Sequence, residues 1–233
     1  MMSNSNYKTH GNSTKQLKAL IDAHGQWIKG FLDNGWDGYL FSMTFNYLPG
    51  SRATKLMQMN QEVERLYGRL ATRMVRNTRS PRWAGYCPIG VFIPDLPAPK
   101  SRKGQKSTIA DVSINDGLHM HGIVLANRWG RVQGPLDEYF EENSGQFVRG
   151  KIRNIDVQPI THELGYVVSY GLKGLVKRTA SDDDILVLDW GGSYSRPHRL
   201  SGSTRQFFKA VEFLEQANCM KAPAGASSGA GRM

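Results

Sequence analysis

Between Leu118 and Ala126 the chain runs LHMHGIVLA, an apolar stretch long enough for a buried strand and broken in character only by two histidines two positions apart. Side chains alternate across a strand, so His119 and His121 project from one sheet face while Leu118, Met120 and Val124 pack on the other. Two rigidly held imidazoles at that spacing can share a divalent ion if a third group completes the site. Asp95, Asp116 and Glu163 are the candidates, Asp95 at the end of the preceding strand.

The second constraint is the segment GYVVSYGLKGLVK, Gly165 to Lys177. At about 100° per residue, Tyr166, Tyr170, Lys173 and Lys177 share a narrow arc of a helix, with Leu164, Val168, Leu172 and Leu175 broadly opposite. Such a helix buries its aliphatic side and presents two phenols with two ammonium groups. A phenol is a weak nucleophile at its free pKa of about 10, and nearby cations favour the phenolate. Gly165, Gly171 and Gly174 each weaken the helix by up to about 1 kcal/mol relative to alanine, which predicts a close approach to another backbone or to a substrate.

The other elements follow from periodicity. Leu17 to Phe31 recurs at helical spacing up to the stop signal Asn34-Gly35. Tyr39 to Tyr47 alternates as a strand, with Tyr39, Phe41, Met43, Phe45 and Tyr47 on one side and Ser42, Thr44 and Asn46 on the other. Ala53 to Arg76 is helical, buries Leu56, Met59, Val63, Leu66, Leu70 and Met74, and lines up Arg65, Arg69, Arg73 and Arg76 on another face. Gly85 to Ile93 reads as a strand, Pro94 to Ser107 as a mobile basic loop with Lys100, Arg102, Lys103 and Lys106, and Pro135 to Asn143 as a short acidic helix. Further strands are expected within Phe147 to Ile160 and at Ile185 to Asp189. A single helix from Thr161, as N-cap, to about Lys177 lies between them, and a last helix is expected near Thr204 to Ala217.

This order is not a regular alternation of parallel βαβ units. An α+β fold, a ferredoxin-like central antiparallel sheet with packed helices, is the more economical reading. A polar tail and accessory helix occupy 1–35, the principal domain 36–180, an extension packed on it 181–220, and a disordered tail 221–233.

Lys and Arg total 30 against 20 Asp and Glu, giving a charge of +10 and a pI near 9.7. That balance favours a polyanionic partner, nucleic acid first. Arg65, Arg69, Arg73, Lys100, Arg102, Lys103 and Lys177 are the candidate contacts. Cys87 and Cys219 form no CxxC pair, and no apolar stretch is long enough to span a membrane, so the expectation is a cytoplasmic protein with no membrane partner.

In order along the chain, FSMTFNY at Phe41 to Tyr47, HMH at His119 to His121 and YVVSYGLK at Tyr166 to Lys173 resemble the three motifs of HUH rolling-circle replication initiators. The last is similar to the two-tyrosine YxxxYxxK helix of the gene A initiators of small single-stranded DNA phages and related plasmid proteins. The resemblance implies the HUH endonuclease fold, with His119, His121 and an acidic residue such as Asp95 holding Mg2+ or Mn2+. It implies Tyr170 as nucleophile, Tyr166 as alternate nucleophile and Lys173 orienting the phosphate or phenolate. The product would be a 5′-phosphotyrosine and a free 3′ hydroxyl at an origin or hairpin in single-stranded DNA. No Walker A pattern occurs, so a host helicase and polymerase would be the partners. The stretch before the histidines, GVFIPD, departs from the family in offering only Asp95, and Ser169 stands where many relatives carry lysine. A transposase or relaxase would share the chemistry, whereas a non-catalytic DNA- or RNA-binding regulator would need neither Tyr170 nor a metal.

Overall fold

The computed structural model describes residues 14–96, 114–161, 164–181 and 184–189. These form a five-stranded, wholly antiparallel sheet with helices on both faces. The strands are β1 (Trp36–Phe45), β2 (Ile89–Asp95), β3 (His119–Asn127), β4 (Ile152–Pro159) and β5 (Leu186–Leu188), in the order β4-β1-β3-β2-β5. Both β1 and β2 are antiparallel to the β3 strand between them, so they run parallel to each other, joined through helix α2 (Arg52–Met74). Lys100, Arg102 and Lys103, Glu163, the helix expected near Thr204 to Ala217 and the tail lie outside the described residues. No helix among those described is long and apolar enough to cross a membrane.

Strand alternation divides the core in two. Phe41, Met43, Phe92, Met120 and Val124 face α2, α3 (Leu136–Glu142) and α4 (Ser144–Phe147), which supply Met59, Val63, Leu66, Leu70, Phe140 and Phe147. Leu40, Val91, Ile93, Ile123 and Leu125 face α1 (Thr14–Asp33), α5 (Leu164–Gly171) and α6 (Lys173–Val176), which supply Ile28, Phe31, Val168 and Leu175. Phe92 reaches its place because Gly122 opposes it across β3. A Cβ there would stand 2.1 Å from the Phe92 ring, closer than any real contact.

Several boundaries differ from the sequence reading, each for a local reason. Tyr47 is not on a strand: β1 ends at Phe45, and Tyr47 is exposed. Buried Asn115 draws the chain away, donating to the carbonyls of Phe45 and Asn46 and accepting from the Leu48 N–H at 2.7 Å. Gly85 and Tyr86, expected to open a strand, instead end a 3₁₀ turn over Pro81–Tyr86. Pro94, expected to open a loop, is a buried strand residue, and Asp95 ends the same strand as its candidacy for the metal site required. Among the described residues β5 pairs only with Gly90 to Phe92, which leaves Pro94 at an edge of β2 where proline is tolerated. The helix expected from Thr161 to Lys177 begins at Leu164 among the described residues and breaks at Leu172 (φ −100, ψ 22) into α5 and α6.

Candidate metal centre

Three neighbouring strands bring the polar residues of the α5–α6 face into register. Asp95 on β2 pairs with His119 on β3, and His121 lies between Ile93 of β2 and Ser42 of β1. The Asp95 carboxylate is wholly buried and His121 nearly so. Ligand-capable atoms of Asp95, His119 and His121 lie within 4.8 Å of one another, with Asp95 Oδ2 at 3.7 Å from His119 Nε2 and 3.9 Å from His121 Nε2. The third ligand expected at Asp95 is therefore where a metal would need it. Asp116 is not: it is highly exposed and pairs with Lys55 at 2.6 Å.

Hydrogen bonding fixes the ring orientations. His119 Nδ1–H donates to the Gly117 carbonyl at 2.9 Å, which leaves its Nε2 as a bare acceptor. His121 Nδ1 contacts Ser42 Oγ at 3.0 Å, and the two Nε2 atoms approach to 3.0 Å. Two facing lone pairs at that range repel unless a proton or a cation sits between them. About 3 Å is also the separation of two ligands bound to one ion at about 2.1 Å and near right angles. Burial, then the neighbouring His119, push the His121 pKa down to about 4 against the pull of Asp95, with Lys173 and Lys177 lowering it further. The imidazole is neutral at pH 7, the form that binds a metal. Two imidazoles and a carboxylate, each imidazole oriented through its far nitrogen, fit a divalent ion.

The Gly117 carbonyl reaches His119 through an unusual turn. Asn115, Asp116 and Gly117 take φ of 56, 57 and 76 in succession, left-handed backbone to which Asn, Asp and Gly are best suited. The INDG tetrapeptide was the available signal for this support. Ser42 was visible on the polar side of its strand, but only the β1–β3 register assigns it to His121.

Above the histidines lie α5 and α6. The Tyr170 ring centroid is 5.0 Å from that of His121 and 6.2 Å from that of Tyr166, which is largely exposed. Lys173 Nζ sits 4.7 Å over the Tyr170 ring and 3.8 Å from Asp95 Oδ2. Lys177, expected to face nucleic acid, turns inward: its Nζ bonds Asp95 Oδ2 at 2.9 Å and the Leu96 carbonyl at 3.2 Å. Thr179 Oγ1 donates to Asp95 Oδ1 at 3.3 Å. The glycines explain the closeness. A Cβ on Gly174 would fall 2.1 Å from the Pro94 carbonyl oxygen, and one on Gly171 2.9 Å from Ile123 Cγ1, whereas Gly165 meets nothing within 4 Å. The neighbour that Gly171 and Gly174 admit is the sheet itself.

The arginine stripe of α2 lies on the other side of the sheet. Arg65 pairs with Glu62 at 2.6 Å, and Arg69 and Arg73 donate to the backbone and side chain of Gln146. Comparison with protein-family models, with curated proteins and with solved structures finds no match to this chain.

Proposed function

We propose that this chain is a metal-dependent, HUH-type endonuclease that nicks single-stranded DNA through Tyr170, in the manner of a rolling-circle replication initiator. The observation that carries the reading is the convergence of Asp95, His119 and His121 beneath a tyrosine ring packed on His121. The strand order supports it. β4-β1-β3-β2, with β1 and β2 linked through α2 and the helices α2, α3 and α4 on one face, is the arrangement expected of a ferredoxin-like core. Two histidines and a carboxylate also suit iron chemistry. The lysines and the tyrosine argue for phosphate instead, because cations beside a phenol favour the phenolate and neutralise a phosphate under attack.

A bound Mg2+ or Mn2+, held by Asp95, His119 and His121, would supply Lewis-acid polarisation of the scissile phosphate. The residues do the rest. The Tyr170 oxygen attacks phosphorus, losing its proton to solvent; the bond to the 3′ oxygen breaks, and that oxygen takes up a proton as the strand end becomes a free hydroxyl. Lys173, over the Tyr170 ring, would neutralise charge on the phosphate under attack. The phosphodiester energy is kept in the phosphotyrosine, so a 3′ hydroxyl can reverse the step, and Tyr166, its ring 6.2 Å from that of Tyr170, would take a second strand.

The deciding measurement incubates the protein with Mn2+ and labelled single-stranded DNA from the replicon that encodes it. A DNA adduct stable to SDS, lost in EDTA and in Tyr170→Phe, is expected. Tight binding to an active origin with neither adduct nor nick would refute the nicking enzyme in favour of a DNA-binding regulator.

A further inference from the structure

Much of the positive charge lies far from the histidines. Strand β3 carries His119 at one end and Asn127 at the other, about 27 Å away at roughly 3.4 Å per residue. Beyond Asn127 the turn reads NRWGRVQG (127–134), and the link from α2 to β2 reads VRNTRSPRWAGY (75–86). Together they hold Arg76, Arg79, Arg82, Arg128 and Arg131, all exposed, with neither a lysine nor an acid.

The two segments form one surface. Asn127 Nδ2 donates to the Gly85 carbonyl at 2.7 Å and the Arg131 N–H to the Met74 carbonyl at 2.7 Å. Gly130 is wedged so tightly that a Cβ there would lie 3.2 Å from the Asn127 carbonyl oxygen and 3.3 Å from Met74 Cε. Asn127 Oδ1 accepts the Trp129 N–H at 2.9 Å, closing a turn that leaves the Trp129 side chain in solvent, the residue being 82% exposed. In the other segment, Arg82 stands 5.7 Å from the Trp83 ring, which packs edge-on against Tyr86. Asp37 pairs with Arg128 at 2.9 Å, and the acids Asp137 and Glu138 beyond the turn open helix α3, where negative charge suits the helix dipole.

The exclusive use of arginine matters, because a planar guanidinium grips phosphate oxygens in pairs and stacks on aromatic rings, as an ammonium does not. An indole presented to solvent from a hydrogen-bonded turn among such groups offers a base a stacking platform, and only an unpaired base can use it. The geometry points to a binding surface for single-stranded nucleic acid at this end of the sheet, with Arg76, Arg79, Arg82 and Arg131 on the phosphates and Trp129 stacked on a base. It is separate from the metal centre and does not rest on the nicking reaction.

The test uses the full chain in EDTA, with a fluorescein-labelled thymidine oligomer of about 20 nucleotides and anisotropy read across a salt series. The double variant Arg76→Gln, Arg131→Gln should bind more weakly, with a log–log salt slope shallower by about 1.4, or 0.7 for each phosphate no longer neutralised. Trp129→Ala should weaken binding about tenfold without changing the slope, and Trp129→Phe should restore most of the affinity. Since these side chains are exposed, thermal midpoints should match the wild type. Unchanged affinity in these variants overturns the proposal, as does an equal loss on a duplex of the same length, which would make the surface a reader of double-stranded backbone. No nicking occurs in EDTA, so the outcome is independent of whether the metal centre cleaves DNA.

Discussion

Asp95 is the residue on which the candidate site turns. It is wholly buried at the end of a strand, yet two lysines and two histidines lie within 4 Å of its Oδ2. Its sequence context, a carboxylate directly after a proline, marks only the end of a strand, and the pairing of Asp95 with His119 is what brings it to the histidines. Lys177 supplies a buried charge with its partner, but it also competes with any cation for that carboxylate. Lys177→Met should therefore lower the stability of the metal-free protein by about 2 kcal/mol, the scale of a hydrogen bond to a charged group, and should raise Mn2+ affinity. Denaturant unfolding in EDTA and a calorimetric Mn2+ titration measure the two effects; weaker Mn2+ binding would mean that Lys177 positions Asp95 and does not compete for the metal. Ser42 is a gentler test. Ser42→Ala removes the far-side partner of His121, and Mn2+ should bind about 10- to 100-fold more weakly, with the fold intact by circular dichroism.

Among the elements, long periodic segments were the legible ones. α2 begins at Arg52, one residue before the expected start, because Ser51 caps it by accepting the Thr54 N–H at 3.3 Å. Both faces of β1 follow from alternation, and the histidines fell inside β3 as their apolar surroundings indicated. Boundaries set by distant partners were not legible: the end of β1 depends on Asn115, 70 residues from Phe45, and the break between α5 and α6 depends on how closely the sheet approaches. The two tyrosines and two lysines still share one side because helical bonding continues through the break, from the Leu172 N–H to the Val168 carbonyl and from the Val176 N–H to the Leu172 carbonyl. The fit of α6 to β2 leaves no room for a side chain at Gly174. Gly174→Ala should force the helix off the Pro94 carbonyl, withdraw Lys173 and Lys177 from Asp95, and cost about 1–3 kcal/mol of stability along with the covalent adduct. Gly165→Ala, with open space around it, should stabilise or leave the midpoint unchanged; a thermal melt of the two variants checks the contrast.

At the scale of the whole molecule, the sheet separates a layer containing the arginine stripe from a layer containing the metal centre. The latter is closed by α1, docked through Ile28 and Phe31 and through the buried His24. Burial lowers the His24 pKa, partly offset by the Leu20 carbonyl to which its Nδ1 is bonded. Below the unfolded value of about 6.5 the unfolded chain takes up a proton that the folded chain resists, so stability should fall as pH drops from 7 toward 5. In EDTA, His121 adds a loss of the same sign, extending toward its folded value of about 4. The slope of unfolding free energy against pH should be shallower in His24→Leu than in the wild type; equal slopes would show that α1 does not hold this histidine neutral. Mn2+ at 100 times its dissociation constant should raise stability by about 2.7 kcal/mol, an increment absent from Asp95→Asn.

The lysines leaning on Asp95 give metal loading the character of an exchange. The buried carboxylate already has its counter-charge, so an arriving ion must loosen an ammonium that holds the same oxygen. On the proposed function, Lys177 would give way to the ion while Lys173, over the Tyr170 ring, would turn from Asp95 toward the next anion to enter, a phosphate. Filling the site with metal and preparing it for a phosphate would then be one event, and without metal both lysines would stay committed to the Asp95 carboxylate.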